Sequence, residues 1–206
     1  MQTLGLQGES RRSDSWLKSI FWPTVENAWD VDYLGHQGMW LCLIVAAFQL
    51  GMSVLLGGGK LFIIGLGLVG ALVYFLAGMG VRERSWPAAA MIFFVSVLEA
   101  LTAIGTGLLL SPIGALRILL AGLLFSNLRA TFIASEWKVP AEGEDRPERF
   151  SETFRDKLFD VWPPKAWPIL QIPFYALAAL WCLGNLFILL GILLLRLGLV
   201  HTNGVR

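Results

Sequence analysis

The chain has 206 residues, of which 56% are hydrophobic and 15% charged, with a formal net charge of +1 and a mean hydropathy of +0.65. Soluble domains carry roughly 45–50% apolar and about 25% charged residues, so this composition excludes an ordinary water-soluble domain. The dispersed Lys and Arg residues likewise form no basic face for nucleic acid.

In chain order, the first 14 residues are polar, include Arg11 and Arg12, and hold no apolar core of a cleavable secretory signal. Ser15 to Leu34 mixes Trp16, Trp22, Trp29 and Tyr33 with Lys18, Glu26, Asp30 and Asp32. That mixture suits a segment lying at the membrane surface, with rings at headgroup depth and charges in water. Residues 1–38 are therefore expected to be a cytoplasmic tail and interfacial segment. His36, with no Cys, Asp or second His as a co-ligand, is a poor metal site.

Apolar runs of about 20 residues, the length that crosses a bilayer, lie at 39–58, 61–81, 87–110, 113–134 and 174–196. The expected fold is an all-α, polytopic helical transmembrane bundle of five spans, with a four-helix core over 39–135. Gly57-Gly58-Gly59-Lys60 reads as the tight turn of an antiparallel hairpin. The phosphate-binding pattern GxxxxGK[ST] is absent, because Leu61 follows Lys60. In span two, Gly67 and Ala71 form a small-xxx-small pair that permits close helix contact. Pro87 suits the first turn of span three. Cys42 and Cys182 fall inside spans far apart in sequence and read as small buried hydrophobes. Twelve of the sixteen Lys and Arg residues fall on the N-terminal side of a five-span chain. The positive-inside rule then places the N-terminus in the cytoplasm of a multi-pass cell-membrane protein.

Spans three and four hold the intramembrane charges Glu99, Arg129 and, nearer a span end, Arg117. Ser96, Glu99, Thr102, Ala103 and Thr106 share one helical face, and Gly122, Ser126, Arg129 and Ala130 share another. Both faces are small or weakly polar, the composition that packs helices together in lipid, so the charges are expected to point inward. At about 1.5 Å per residue, Glu99 lies roughly 16 Å below the Leu110 end, Arg129 about 24 Å and Arg117 about 6 Å below the Ile113 end. The offset of about 8 Å can be covered by two side chains, which predicts a Glu99–Arg129 pair, with Arg117 stretching or snorkelling outward. Such a pair neutralises two buried charges and fixes register. The alternative is that Glu99 is a proton or cation site on a transport path.

Tyr33-Leu34-Gly35-His36-Gln37-Gly38-Met39-Trp40, Phe75-Leu76-Ala77-Gly78-Met79-Gly80-Val81-Arg82-Glu83-Arg84-Ser85 and Asn127-Leu128-Arg129-Ala130-Thr131-Phe132 carry a resemblance over about residues 33–137. The chain resembles a group of small bacterial four-helix integral membrane proteins, of no established activity, that look like RQGAW, GIxRxSR and NGxRGTF at these places. It departs from them at Ala130, where glycine is usual, and at Trp86, where arginine is common, and it adds a loop and a fifth span. The resemblance implies a fold and the positions of Glu99 and Arg129.

Residues 136–173 are expected to be a cytoplasmic loop. Pro140, Gly143 and Pro147 make its first part an exposed connection. Phe150, Phe154 and Leu158, opposite Glu152, Arg155 and Asp156, read as a short amphipathic helix lying on the membrane or docking a partner, and Ser151 with Phe154 makes no capping box. Pro163, Pro164, Pro168 and Pro173 favour an extended ramp, anchored by Trp162 and Trp167, leading to a fifth span and tail over 174–206 or to a re-entrant segment. Asn185 in that span is expected to hydrogen-bond a neighbouring helix, and Ser126 in span four to serve as a polar helix-packing residue.

No HExxH, GxSxG, CxxC, dinucleotide fingerprint or calcium loop occurs, and nucleophile, base and oxyanion donors cannot be assembled from this sequence. The expectation is a non-enzymatic integral membrane protein without a cofactor, a structural or accessory subunit whose partners are the lipid bilayer and other membrane subunits. The alternative is a small transporter or channel for protons or small solutes using Glu99. The two differ in whether Glu99 is dry and bonded to Arg129 or reached by a cavity.

Overall fold

Hydrocarbon offers no water to backbone N–H and C=O groups, so apolar runs must bond their own backbone, and helices do so. The computed structural model describes residues 18, 22–25, 28–107, 111–136 and 152–197. It contains α1 (Ala28–Gly57), α2 (Leu61–Arg82), α3 (Trp86–Gly105), α4 (Pro112–Glu136), a short α5 (Phe154–Asp156), a π-helical stretch (Lys157–Val161) and α6 (Trp162–Arg196). Five stretches are long and apolar enough to cross a membrane, the last running from Phe154 to Arg196. The protein is an all-α, multi-pass helical bundle, as its composition requires.

Three expectations are corrected. First, α1 starts at Ala28, with Asp30, Val31 and Leu34 buried, so the second half of the expected surface segment belongs to the bundle. Second, the proline ramp is helix. Pro163 and Pro164 sit in the first turn of α6, where a backbone N–H has no intrahelical acceptor, and Pro168 and Pro173 lie on its exposed side, away from buried Pro163, Trp167, Phe174 and Ala178. Third, Phe154 is 74% exposed whereas Phe159 is only 1% exposed. The π-helical turn adds a residue and rotates the expected four-residue stripe off the bundle. A capping box does start this run, between Thr153 and Asp156. Phe150 and the loop before it lie outside the described residues.

The helices alternate in direction: α1 packs on α2, α3 on α4, α4 returns against α1, and α6 lies along both α2 and α3. Gly67 lets α1 and α2 touch, since a Cβ there would stand 2.1 Å from Ser53. Cys42 and Cys182 are free thiols inside the bundle.

One end is closed by ions. The Arg82 guanidinium, 3% exposed, donates to Asp32 Oδ1 at 2.6 Å, Asp160 Oδ1 at 2.5 Å and the Phe159 carbonyl at 3.0 Å. It thereby ties the end of α2 to α1 and to the π-helical stretch. Arg84 adds a bond to Asp32 at 3.2 Å. Arg84 has φ +57° and occupies the left-handed position that ends α2, with Ser85 N bonded to Gly80 O and Arg84 N to Val81 O.

Breaking a buried ion pair leaves uncompensated charge, so Arg82→Met is expected to cost about 3–5 kcal/mol, here with two aspartates stranded. Arg84→Gly should change stability by less than about 1 kcal/mol, because relief of left-handed strain offsets loss of a partly exposed bridge. Denaturation of the micelle-embedded protein measures both.

Candidate functional site

Glu99 stands in the second half of α3 and is 5% exposed. An anion there needs donors from the protein itself. Gln49 of α1 donates Nε2 to Oε1 at 3.2 Å, Trp181 of α6 donates Nε1 to the same oxygen at 2.9 Å, and Tyr74 of α2 donates its hydroxyl to Oε2 at 3.1 Å. Tyr74 OH also lies 3.0 Å from Ser96 Oγ, one turn below Glu99 on α3. From α4, Arg117 Nη1 donates to the backbone carbonyl of Glu99 at 3.0 Å. All five long helices therefore converge on one residue.

The convergence depends on a glycine. A Cβ at Gly70 would lie 2.0 Å from Gln49 Oε1 and 3.0 Å from the Trp181 ring, so the bare backbone of α2 makes room for both donors. Gln49 Oε1 itself is buried against that backbone without a hydrogen bond.

The expected Glu99–Arg129 pair does not form. Arg129 Nη1 donates to the Pro23 carbonyl at 2.9 Å and its guanidinium lies 4.5 Å from the Trp22 ring centre. It fastens the segment before α1 to α4, helped by Trp22 against Phe125 at 5.8 Å. The error is one of depth. α3 ends at Gly105 rather than Leu110, which puts Glu99 roughly 9 Å from its helix end, against about 8 Å for Arg117 and about 25 Å for Arg129. Arg117, expected to snorkel outward, thus shares the level of Glu99 and reaches inward.

Among the other expected site residues, Ser126 is buried in α4. Asn185 is corrected: its Nδ2 donates to the Trp181 carbonyl of its own helix at 2.9 Å, and no bond to a neighbouring helix forms. Thr102 and Thr106 bond carbonyls of α3. Trp40 Nε1 and Arg155 Nη2 approach His36 Nε2 at 3.2 and 3.3 Å, and the ring packs 4.6 Å from Phe159, a packing role that joins α1 to the π-helical stretch. No cluster of three or more metal-ligating side chains occurs among the described residues.

Above Glu99 is a cavity of about 500 Å³, a size that admits a small molecule. Gln49, Ser53, Glu99, Arg117, Trp181 and Asn185 supply its polar groups, and Ile44, Phe48, Met52, Ile63, Leu66, Leu116 and Leu120 most of its apolar wall. α1 and α4 meet closely at one end, where a Cβ on Gly38 would lie 2.5 Å from Asn127, and further along, Met52 and Leu116 of the same two helices line the cavity. The exposed apolar residues Ile44, Phe48 and Leu116 line its membrane-facing side.

The sequence offered a signal for the missed donors. Gln49 and Tyr74 are the strongest hydrogen-bonding side chains in the middle of their spans, and Trp181 lies mid-span although tryptophan favours interfaces. Comparison with protein-family models, curated proteins and solved structures finds no match to this chain.

Gly70→Ala is expected to cost about 1–3 kcal/mol by displacing Gln49 and Trp181. Gly65→Ala on the same helix, with nothing within 4 Å of the new methyl, should be neutral or stabilising. Comparing the two unfolding curves isolates the site from helix propensity.

Proposed function

We propose that this chain is a non-enzymatic transport protein of a bacterial cell membrane, moving a small solute or protons through the cavity that ends on Glu99. The single observation that carries this reading is the cavity itself: Glu99 lines it with its carboxylate bonded to neutral donors, rather than being paired with Arg129. The far side of Glu99 is packed with Tyr74, Ala77, Ile92 and Phe174 and then closed by the Arg82 ion cluster. A cavity open on one side of a charged residue and sealed on the other is what one state of an alternating transporter requires. An N-terminus in the cytoplasm and kinship with the four-helix group are parts of the same proposal, supported by the Lys and Arg distribution and by the motifs around Arg82 and Arg129.

A second reading, the accessory or scaffolding subunit that docks other membrane proteins, is favoured by one observation: hydrogen bonds from every long helix meet at Glu99, which a purely structural residue would also show.

Cysteine labelling separates the two. In a chain with Cys42 and Cys182 replaced by alanine, Met52→Cys in liposomes should react with a membrane-impermeant thiol reagent added on the Gly58 side, while Leu180→Cys on the lipid face stays inert for want of water to form its thiolate. Ile92→Cys should react only from the Asp32 side, in the minor population opened that way. A Met52→Cys as inert as Leu180→Cys would make the cavity dry and give first place to the scaffold, and an Ile92→Cys inert from both sides would exclude alternation.

A further inference from the structure

Arg117 is the one cavity charge that the protein leaves largely unanswered. A guanidinium carries five N–H donors, and of these a single bond forms, from Nη1 to the Glu99 carbonyl at 3.0 Å. No Asp or Glu carboxylate oxygen among the described residues lies within 4.0 Å of it. Arg82 and Arg129 differ: the first holds two aspartates, the second an aromatic face and a carbonyl. A cation on an apolar wall is costly unless an anion accompanies it, so the remaining donors of Arg117 call for an anionic group delivered from outside the chain.

The surroundings define what carries that anion. Leu116 and Leu120 flank Arg117 on α4, and Ile44, Phe48 and Met52 face them from α1. Ile44, Phe48 and Leu116 are exposed towards the bilayer. The Glu99 carboxylate repels a second anion, so a headgroup keeps to the Arg117 side of the cavity and its apolar remainder lies along this exposed wall.

Resting on the reading of the cavity as a solute site, we propose that its ligand is an amphiphile with one anionic headgroup: carboxylate or phosphate oxygens on the Arg117 fork and a hydrocarbon tail along Ile44, Phe48 and Leu116. The planar fork matches both headgroups. A free fatty carboxylate and a phospholipid headgroup are the two sources of this chemistry.

The test uses the full chain in phosphatidylcholine nanodiscs, with dodecanoate and dodecanol titrated calorimetrically. Dodecanoate should bind saturably, one per chain and at least about tenfold tighter than dodecanol. Arg117→Gln should bring the two ligands to within about threefold of each other, and Arg117→Lys, with charge but no fork, should fall between. Met52→Trp should block both by filling the cavity while leaving Arg117 in place. Mixing phosphatidylglycerol into the discs should weaken dodecanoate binding if a lipid headgroup is the natural occupant, and leave it unchanged if a free carboxylate is; both results uphold the proposal. Equal binding of acid and alcohol by the unaltered chain, blocked by Met52→Trp, would overturn the anionic ligand while leaving the cavity standing. A preference that survives Arg117→Gln would also overturn it. Binding of neither ligand would overturn the cavity reading as well.

Discussion

A carboxylate in hydrocarbon has no water to turn to, and the position of every long helix here follows from how Glu99 is satisfied. Its two oxygens take hydrogen bonds from α1, α2 and α6, and its backbone carbonyl takes one from α4. Bonds to a charged acceptor are each worth roughly 1.5–3 kcal/mol, so sliding α1, α2 or α6 by a turn would forfeit about that much, and sliding α3 would forfeit all of them at once. Glu99 therefore contributes to the register of every long helix. It also makes α6 integral to the bundle: Trp181 reaches Glu99 across the face of α2 where Gly70 has no side chain.

The two ends of the bundle treat arginine in opposite ways. At the Asp32 end, Arg82 is buried and surrounded by acceptors from α1 and the π-helical stretch, and Gly38 lets α1 and α4 close on each other. Towards the Gly58 end the helices stand apart, and Arg117 faces the space between them with most of its donors free. A satisfied arginine locks an end, and an unsatisfied one equips a cavity. This asymmetry gives the site a direction, with a closed side behind Glu99 and an approach in front of it.

Much of the fold was legible in the sequence because hydropathy and length alone decide that a run of twenty apolar residues becomes a spanning helix. Glu99 was legible as a buried charge for the same reason. Its partners were not, because choosing between Arg117 and Arg129 turns on where α3 ends, and five residues of error move the level by about 8 Å. Leu108 to Leu110 extend the apolar run past Gly105, and hydropathy cannot see the turn at Thr106 and Gly107. The prolines before Phe174 misled in a different way: a helix lying on the outside of a bundle tolerates missing N–H groups on its exposed side, a circumstance that depends on packing and not on local sequence. The π-helical turn at Lys157–Val161 left no periodic signature, since its effect is to break the period.

The most direct measurement is a pair of double-mutant cycles on unfolding in bicelles, one crossing Glu99→Gln with Trp181→Phe and the other crossing Glu99→Gln with Arg129→Gln. Interhelical hydrogen bonds in membranes couple by about 0.6–1.7 kcal/mol, and the first cycle should show a coupling in that range. The second should be additive to within about 0.5 kcal/mol, as for residues that share no partner. Coupling of Glu99 to Arg129 together with additivity towards Trp181 would contradict the account, because the carboxylate would then be neutralised by α4 alone and the convergence of five helices on it would not exist.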